Sequence, residues 1–461
     1  MTVLHADTAL LPTGWARDVR VDVVGGRIAS VVPGSEVPNS AGPKSAGQMQ
    51  RVGCLLAAPV NLHSHTFQRA MAGMTERRGA GGQDSFWTWR TLMYRFLDSL
   101  TPEDVHAIAA MVMMEMAEAG YAAVAEFHYL HHAPGGAVYA DLAEMSARIA
   151  QAAAETGLGL THLPVLYERG GCDGRALTAG QLRFGNDPDR FLRLREAAAR
   201  ALSGLPADTV LGVAPHSVRA VGAAGLAAVS GLGGPVHIHV AEQMAEVTEV
   251  LAHLGARPVE WLLDHAQVDR RWCLIHATQM QPAETESLAR SGAVAGLCPI
   301  TEANLGDGIF DGVRYLAAGG AFGIGSDSNV RISLTEELRL LEYSQRLGNK
   351  GRALLAGPDQ STGRVLYDGV VRGGAQAAGR DCGAIAVGRW ADLLALDTTA
   401  VDLEGRNGDA ILDALIFAGD DRMVSDLWSA GRHIVTGGRH KSRDAIVARY
   451  RATMARLRAC T

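Results

Sequence analysis

Eight short apolar runs recur along the middle of the chain, and segments with helical periodicity separate them. The runs span residues 55–65, 121–129, 159–167, 210–217, 235–242, 272–278, 293–300 and 321–328. Short apolar strands that alternate with amphipathic helices predict repeated βα units around a parallel sheet. Because eight parallel strands can close into a barrel, we expect an α/β fold of the (β/α)8 TIM-barrel type.

Two of the intervening segments carry clear helix signals. Segment 101–120 opens on Thr101-Pro102 with acidic residues in the first turn, and segment 245–254 is followed by Gly255. A polar cap followed by proline favours a helix start, and glycine favours a helix end. The alternation of strand and helix patterns therefore rests on local signals as well as on periodicity.

The segment 66–100 after the first run is unusually long and contains Gly79 to Gly82 and the aromatic run 86–90. An excursion of this kind after a barrel strand typically builds the substrate pocket or a lid over it. The sequence leaves open whether it moves.

Both ends of the chain have strand patterns of their own. Residues 21–32 with the Gly25-Gly26 turn predict a hairpin, and 392–397 and 424–436 predict further strands. We expect these strands to form one small β-sandwich domain, with the barrel inserted between its two halves. The predicted division is 1–56 and 376–440 for the β-sandwich, 57–375 for the barrel and 441–461 for an exposed basic helix.

Charge and composition restrict the function classes. The net charge is -6 over 461 residues and no run of Lys or Arg stands out, so neither nucleic acid nor a membrane surface is an expected partner. The N-terminus lacks a basic region followed by an apolar core, and no apolar span approaches membrane length. A small-molecule substrate is the expected partner.

The cysteines indicate the compartment. The six cysteines are far apart in the sequence with no CxxC pair, and several lie in apolar runs. Reduced thiols in such positions behave as small apolar side chains, which predicts a reducing cytoplasm.

His63 and His65 lie at the end of the first run, where alternate strand residues point to the same face. Such a pair could hold a metal ion. By itself it is weak evidence, because an ordinary hydrogen-bonded pair of histidines has the same spacing.

Later runs also end in possible ligands. The fifth carries His237, His239 and Glu242, the sixth ends with His276, and the eighth ends with Asp327. Since barrel active sites gather at the C-terminal strand ends, we expect these side chains to converge. For His237 alone a satisfied buried polar group is the preferred interpretation. Imidazoles with one carboxylate suit Zn²⁺ or Fe²⁺, and an open ligand position for water would favour hydrolysis.

These motifs resemble the amidohydrolase superfamily: His-x-His on the first strand, His-x-x-Glu on the fifth, His on the sixth and Ser-Asp on the eighth. The resemblance covers essentially the whole chain. Its deaminase branch has one metal ion and no bridging carbamylated lysine, and the runs 159–167 and 210–217 contain no lysine here. A carbamate-bridged dinuclear site is therefore not expected.

Four longer stretches, 61–73, 85–90, 126–129 and 301–308, are similar to the formimidoylglutamate deiminase family of histidine catabolism. The resemblance implies one divalent metal, Zn²⁺ or Fe²⁺, a homodimer, and hydrolysis of N-formimidoyl-L-glutamate to N-formyl-L-glutamate and ammonia. It assigns the metal to His63, His65, His239 and Asp327, the proton transfers and substrate polarisation to Glu242 and His276 beside Asp327, and the small anionic substrate to Gln68, Arg90, Tyr129, His216 and Arg219. It gives no role to residues 329–331.

The chemistry of those residue types agrees with the implied reaction. Arg90 and Arg219 can each bind a carboxylate through two parallel hydrogen bonds, and the substrate has two carboxylates. For Arg77, Arg78 and Arg95, a surface charge or structural ion pair is the preferred interpretation. Trp87 and Trp89 are interpreted as pocket wall or core.

Two alternatives remain open. A deaminase of an aromatic base such as guanine or a pterin would share the metal site but would contact a ring instead of two carboxylates. A non-catalytic scaffold relative would typically have lost metal ligands, whereas every ligand position is filled here.

Overall fold

The computed structural model of the protein describes residues 1–35, 49–76 and 86–460, with the side chains of 86–88, 459 and 460 left out. Several residues singled out above lie outside the described residues: Arg77, Arg78, Gly79 to Gly82, Ser85 and the side chain of Trp87.

The described chain alternates strands and helices in the order expected. The strands are β1 (Thr2–Leu11), β2 (Gly14–Val24), β3 (Arg27–Val32), β4 (Met49–Ala57), β5 (Val60–Ser64), β6 (Ala123–His128), β7 (Gly159–Leu166), β8 (Val210–Leu211), β9 (Ala214–Pro215), β10 (Val236–Val240), β11 (Trp272–His276), β12 (Val294–Leu297), β13 (Ala321–Ile324), β14 (Leu393–Leu396), β15 (Val424–Ser429), β16 (Arg432–Thr436) and β17 (Arg439–His440). The α-helices are α1 (Phe86–Leu97), α2 (Pro102–Glu118), α3 (Glu144–Thr156), α4 (Pro188–Leu202), α5 (Ala223–Ser230), α6 (Met244–Leu254), α7 (Pro258–His265), α8 (Pro282–Ser291), α9 (Pro299–Leu305), α10 (Gly312–Ala317), α11 (Leu334–Asn349), α12 (Thr362–Ala377), α13 (Ala410–Phe417) and α14 (Arg443–Cys460).

Strands β5 to β13 form the parallel ring. Hydrogen bonds join them in two arcs, β5-β6-β7-β8 with β9 also paired to β7, and β10-β11-β12-β13. Isolated parallel bridges link the arcs on both sides, between Val213 and Val236 and between Ser64 and Asp327. The α/β barrel-type fold is confirmed, and the C-terminal ends of all its strands meet at one mouth.

Two apolar runs are divided differently from the prediction. The run 55–65 contains the end of β4, which belongs to another sheet, and then β5. The run 210–217 forms two short strands with Gly212 between them, where the chain lies so close to its neighbour that a Cβ would be 2.5 Å from the Pro235 carbonyl oxygen. An apolar run does not show where a strand changes partner.

The helix signals are confirmed at both segments. The Thr101 side chain accepts a hydrogen bond from the Asp104 amide, and the Asp104 carboxylate accepts one from the Thr101 amide, which forms a capping box before α2. Helix α6 ends at Gly255 in the left-handed conformation, with φ 76°.

The C-terminal helix α14 is docked on the barrel's outer helices. Arg443, Arg449 and Arg456 form ion pairs with Glu118, Glu155 and Asp104 respectively. The basic residues that predicted an exposed helix therefore also fix its position. Among the described helices, none combines the length and apolar character that crossing a bilayer requires.

Strands from the two chain ends form one eight-stranded sheet, in the order β17-β16-β15-β14-β4-β1-β2-β3. Strand β4 pairs in parallel with β1 and antiparallel with β14, so the C-terminal half adds directly to the N-terminal half. The predicted hairpin is confirmed as β2 and β3, with Gly25 and Gly26 at φ 58° and 82°. The division into 1–56, 57–375, 376–440 and 441–461 stays a prediction.

A buried ion-pair network joins this sheet to the barrel. Arg380, with 4% of its surface exposed, donates through Nε and Nη2 to Asp392 at 2.6 and 2.9 Å and through Nη2 to Asp208 at 2.7 Å. Arg432 in β16 donates to both carboxylate oxygens of Asp208 at 2.7 Å. The start of β7 makes room for the arginine, because a Cβ on Gly159 would lie 2.8 Å from its guanidinium carbon.

The network predicts a dependence of stability on pH. Burial alone would raise the pKa of Asp208, but Arg432 and Arg380 lower it from 3.8 to about 2. A depressed pKa in the folded state stabilises the fold at pH values above the unfolded pKa, and this stabilisation disappears as pH falls from 3.8 towards 2. We expect Asp208→Asn to be less stable than wild type at pH 6 in urea unfolding, with the difference shrinking across that window. A difference that stays constant down to pH 2 would contradict the assignment.

Candidate functional site

Four side chains meet at the mouth of the barrel. His63 lies in β5 with His65 just beyond its end, His239 lies in β10, and Asp327 follows β13. The Nε2 atom of His239 lies 3.1 Å from that of His63 and 3.3 Å from that of His65. The Asp327 Oδ1 atom is 3.3 Å from both His63 Nε2 and His65 Nε2. Ligands at about 2.0–2.1 Å from a tetrahedral ion are roughly 3.3 Å apart, so this donor set fits one divalent metal.

The tautomers of two of these histidines suit a metal ligand. The Nδ1 atom of His65 lies 2.9 Å from the Phe127 carbonyl, and that of His239 lies 3.2 Å from the His216 carbonyl. An Nδ1–H that donates to a carbonyl leaves the Nε2 lone pair directed at the centre. Burial lowers the pKa of His63 to about 3 and also lowers the pKa of His65 and His239, so the imidazoles are neutral, the form that binds metal.

Asn329, for which the family resemblance implied no role, holds Asp327 in position. Its Nδ2 atom donates to the Asp327 carbonyl at 3.0 Å, the His65 carbonyl at 3.2 Å and Ser64 Oγ at 3.1 Å. Asp327 and Asn329 both have positive φ, 44° and 55°, which Asp and Asn tolerate better than most residues. This amide therefore joins the end of β13 to the end of β5.

Glu242 and His276 lie beside these four candidate metal ligands. The His276 Nε2 atom is 3.9 Å from Glu242 Oε1 and 4.0 Å from Asp327 Oδ2, and its Nδ1 atom is 3.3 Å from Glu302 Oε1. Burial lowers the pKa of His276, but Glu242 and Glu302 outweigh it and raise the pKa to about 10. Burial raises the pKa of Glu242. One cationic donor and one carboxyl group thus face the same space.

A pocket opens above this centre. All five residues predicted to bind substrate line it, together with Trp89, which was predicted as wall or core. The lining also includes Met93, Tyr94, Tyr167, Phe184 and Leu305, which sequence reasoning missed, and His65, His239, Glu242, His276 and Asp327 at the floor.

Arg90 is held by two tyrosines that the sequence did not single out. Its Nε donates to Tyr94 Oη at 2.5 Å and its Nη2 donates to Tyr167 Oη at 3.0 Å. Tyr167 also accepts from Gln181 Nε2 at 2.9 Å. Tyr167, at the end of an apolar run, has the same sequence signature as a core residue, so the pattern alone could not reveal its contact with Arg90.

Arg219 faces a buried carboxylate without a close hydrogen bond. Its Nε lies 3.7 Å from Glu246 Oε1, and neither atom has a hydrogen-bond partner among the described residues. The other oxygen of Glu246 accepts from the backbone amide of Glu242 at 3.1 Å. Glu246 therefore holds the loop that carries Glu242 through a hydrogen bond and also lies close to Arg219 in the pocket.

The other predicted substrate residues form a second wall. Gln68 Nε2 donates to Tyr129 Oη at 2.7 Å, and the rings of Tyr129 and His216 are 6.1 Å apart between centroids. Burial lowers the pKa of His216 well below its usual range, with a further contribution from Arg219. His216 is therefore a neutral imidazole.

Three polar residues considered as candidates from the sequence lie away from the site. His237 Nε2 is 2.7 Å from the Ala377 carbonyl, which satisfies it as a buried polar group. Arg95 is exposed on α1, and Arg331 pairs with Glu336 at the surface.

Two family models match the sequence. Residues 54–434 match the amidohydrolase family, and residues 1–42 match the N-terminal domain of formimidoylglutamate deiminase HutF. Together the two models cover the barrel and the N-terminal strands β1 to β3 of the eight-stranded sheet.

Individual relatives point the same way. A formimidoylglutamate deiminase from Pseudomonas aeruginosa is 49% identical over 445 residues, which are 95% of this chain and 96% of that protein. The crystal structure of an amidohydrolase from Brucella melitensis superposes with a TM-score of 0.93 at 49% identity, covering 99% of this chain and 100% of that one. An adenosine deaminase from Xanthomonas campestris with bound zinc has a TM-score of 0.81 at 21% identity, over 99% and 98% of the two chains, and is similar in fold.

Proposed function

Since this chain belongs to the amidohydrolase family and matches a formimidoylglutamate deiminase over nearly its full length, we infer that it hydrolyses N-formimidoyl-L-glutamate to N-formyl-L-glutamate and ammonia, a step of histidine degradation. It is a hydrolase that acts on the C–N bond of a linear amidine. One observation carries this inference: a single pocket combines a four-donor metal set with two arginines, and the substrate combines an amidine carbon with two carboxylates.

The metal would be held by His63, His65, His239 and Asp327. Three imidazoles and one carboxylate with this spacing support Zn²⁺, and the same donors also accept Fe²⁺. A divalent metal there supplies Lewis acidity and lowers the pKa of coordinated water.

The pocket arginines would bind the substrate carboxylates. A planar guanidinium group can bind a carboxylate through two parallel hydrogen bonds. Arg219 would do so directly, and Arg90 would do so through hydrogens other than those that Tyr94 and Tyr167 accept. Gln68, Tyr129 and neutral His216 supply uncharged hydrogen-bonding groups in the same pocket. This arrangement favours a flexible dianion over a flat neutral base such as guanine or a pterin.

The acid and base steps fall to groups already beside the centre. Glu242 would take a proton from the attacking water and deliver it to the departing nitrogen, so that ammonia leaves instead of an amide anion. Cationic His276 would stabilise negative charge that develops as the amidine carbon becomes tetrahedral. Asp327 would accept a hydrogen bond from the water and keep it oriented.

The direct test is ammonia release by the purified protein from N-formimidoyl-L-glutamate and, separately, from guanine. We expect turnover of the first, loss of turnover on chelation of the metal, and recovery when Zn²⁺ is returned. Turnover of guanine alone would support the aromatic-base alternative. A folded protein that binds no metal would support the scaffold alternative.

Arg219→Lys is expected to raise KM while leaving kcat within a few-fold. Lysine keeps the charge but loses the two parallel hydrogen bonds, and a charged hydrogen bond contributes about 1.5–3 kcal/mol, or roughly a 10- to 150-fold change in KM. A change confined to KM is the signature of lost uniform binding. Exposed Arg95→Lys on α1 is the matched control. A fall in kcat at unchanged KM would instead place Arg219 in the chemical step.

We also propose a cytoplasmic homodimer. The five cysteines with described side chains are buried and free, which supports a reducing compartment, and the family resemblance supports the dimer. Light scattering of the purified enzyme tests the assembly.

A further inference from the structure

Three buried side chains next to the catalytic centre form another group that could bind a metal ion. His276, Cys298 and Asp327 each offer one donor atom, and these atoms lie within 4.8 Å of one another. Asp327 belongs to both groups, but its two oxygens face different neighbours. Its Oδ1 lies 3.3 Å from His63 and His65, whereas its Oδ2 lies 4.0 Å from His276 Nε2. One carboxylate can therefore serve two ions through separate oxygens.

Two members of this second group, His276 and Asp327, are reachable from the pocket. His276 and Asp327 line its floor, and Cys298 lies directly before α9 with no exposed surface. The Nδ1 atom of His276 is engaged with Glu302, so its Nε2 is the atom that faces Asp327. A cation entering by the substrate route would meet the imidazole and the carboxylate first.

The surroundings carry more carboxyl groups than cations. Glu242, Glu302, Asp307 and Glu337 are all buried, and one oxygen each of Asp307 and Glu337 has no hydrogen-bond partner among the described residues. Glu242 and Glu302 lie nearest, with carboxylate oxygens 3.9 and 3.3 Å from the nitrogens of His276. Ionised carboxylates at this distance would attract a further positive charge.

We propose that His276, Cys298 and Asp327 form a second, inhibitory site for a thiophilic divalent cation such as Cd²⁺ or excess Zn²⁺. Thiolate and imidazole are ligands that these ions prefer. The thiol proton, and any proton on His276 Nε2, would pass to solvent as the ion binds. Binding would occupy His276 and the second oxygen of Asp327, and the enzyme would stop turning over. The proposal rests on the catalytic metal site proposed above.

The test is a Cd²⁺ titration of enzyme that already holds one equivalent of Zn²⁺ and has a measured rate of ammonia release. We expect one further equivalent to bind, an ultraviolet thiolate-to-cadmium charge-transfer band to appear, and activity to fall at least tenfold in parallel. Cys298→Ala should show no band and no such inhibition while retaining the first metal and the basal rate. Cys273→Ala, at a buried thiol in the neighbouring strand β11, should behave as wild type.

Other outcomes would overturn the proposal. They are the absence of a band in wild type, a band that persists in Cys298→Ala, and a band that appears with the first equivalent of Cd²⁺ added to metal-free protein, since Cys298 would then bind the primary ion. Cys298→Ser, which keeps the size of the side chain, replaces the alanine variant if that variant does not fold. An enzyme inactive before Cd²⁺ is added would count against the proposed function instead.

Discussion

Glu242→Gln is expected to lower kcat by about 10²–10⁴-fold, the usual contribution of a general acid–base. Glutamine keeps the size of the side chain and leaves the backbone amide of residue 242 bonded to Glu246, but it can neither accept nor deliver the proton that ammonia needs. Because Glu242 is not among the four converging donors, the variant should retain its metal. Steady-state ammonia release and metal analysis on the same preparation measure both quantities.

The matched control is Glu196→Gln, at an exposed position on α4, which should leave kcat unchanged. Near-normal turnover by Glu242→Gln would remove the proton-transfer role. A variant that is inactive because it has lost metal would point to a structural part for Glu242 in the centre.

Arg380→Met is expected to reduce the free energy of unfolding by about 3–5 kcal/mol, the cost of removing one partner from a buried ion pair. Asp392 would lose two charged hydrogen bonds and stay buried, while keeping the hydrogen bond from the Ala430 amide. Asp208 would keep Arg432, so the loss falls mainly on the carboxylate at the start of β14. Urea unfolding of the metal-loaded protein measures the change.

Arg372→Met is the matched control, since that arginine is 71% exposed and its pair with Asp368 is 3.4 Å long. The free energy of unfolding of the Arg372→Met variant should differ from that of wild type by less than about 0.5 kcal/mol, as is usual for exposed ion pairs. Equal losses in the two variants would show that the buried network contributes no more than a surface pair.

Much of the fold could be predicted because its signals are local. Apolar runs, the Thr101-Pro102 start and Gly255 each act within a few residues, and the structure has the corresponding strands and helices. The division of 55–65 between two sheets could not be predicted, because it depends on β14, which follows more than 300 residues later. Strand pairing of that kind is a long-range property.

The candidate site divides in the same way. Residue types at strand ends, such as His63 and Asp327, were visible because metal ligands are chemically distinctive. Tyr167, Glu246 and Glu302 were not, because a buried tyrosine resembles core and a helical glutamate resembles a solvated surface residue. Glu302 lay within the stretch 301–308 that carries the family resemblance, which was the available signal for it. Their contributions come from contacts between distant loops.

Because the eight-stranded sheet contains strands from both chain ends, it cannot be completed on the ribosome until most of the chain has been translated. Strand β4 is complete at residue 57, but its partner β14 begins at residue 393. At about 5–20 residues per second, the hydrogen-bonding edge of β4 waits roughly 20–70 s for that partner. During this interval an apolar strand edge is available to other nascent chains. Slower translation or a shortage of chaperones should therefore lower the yield of enzyme without changing its activity per folded molecule.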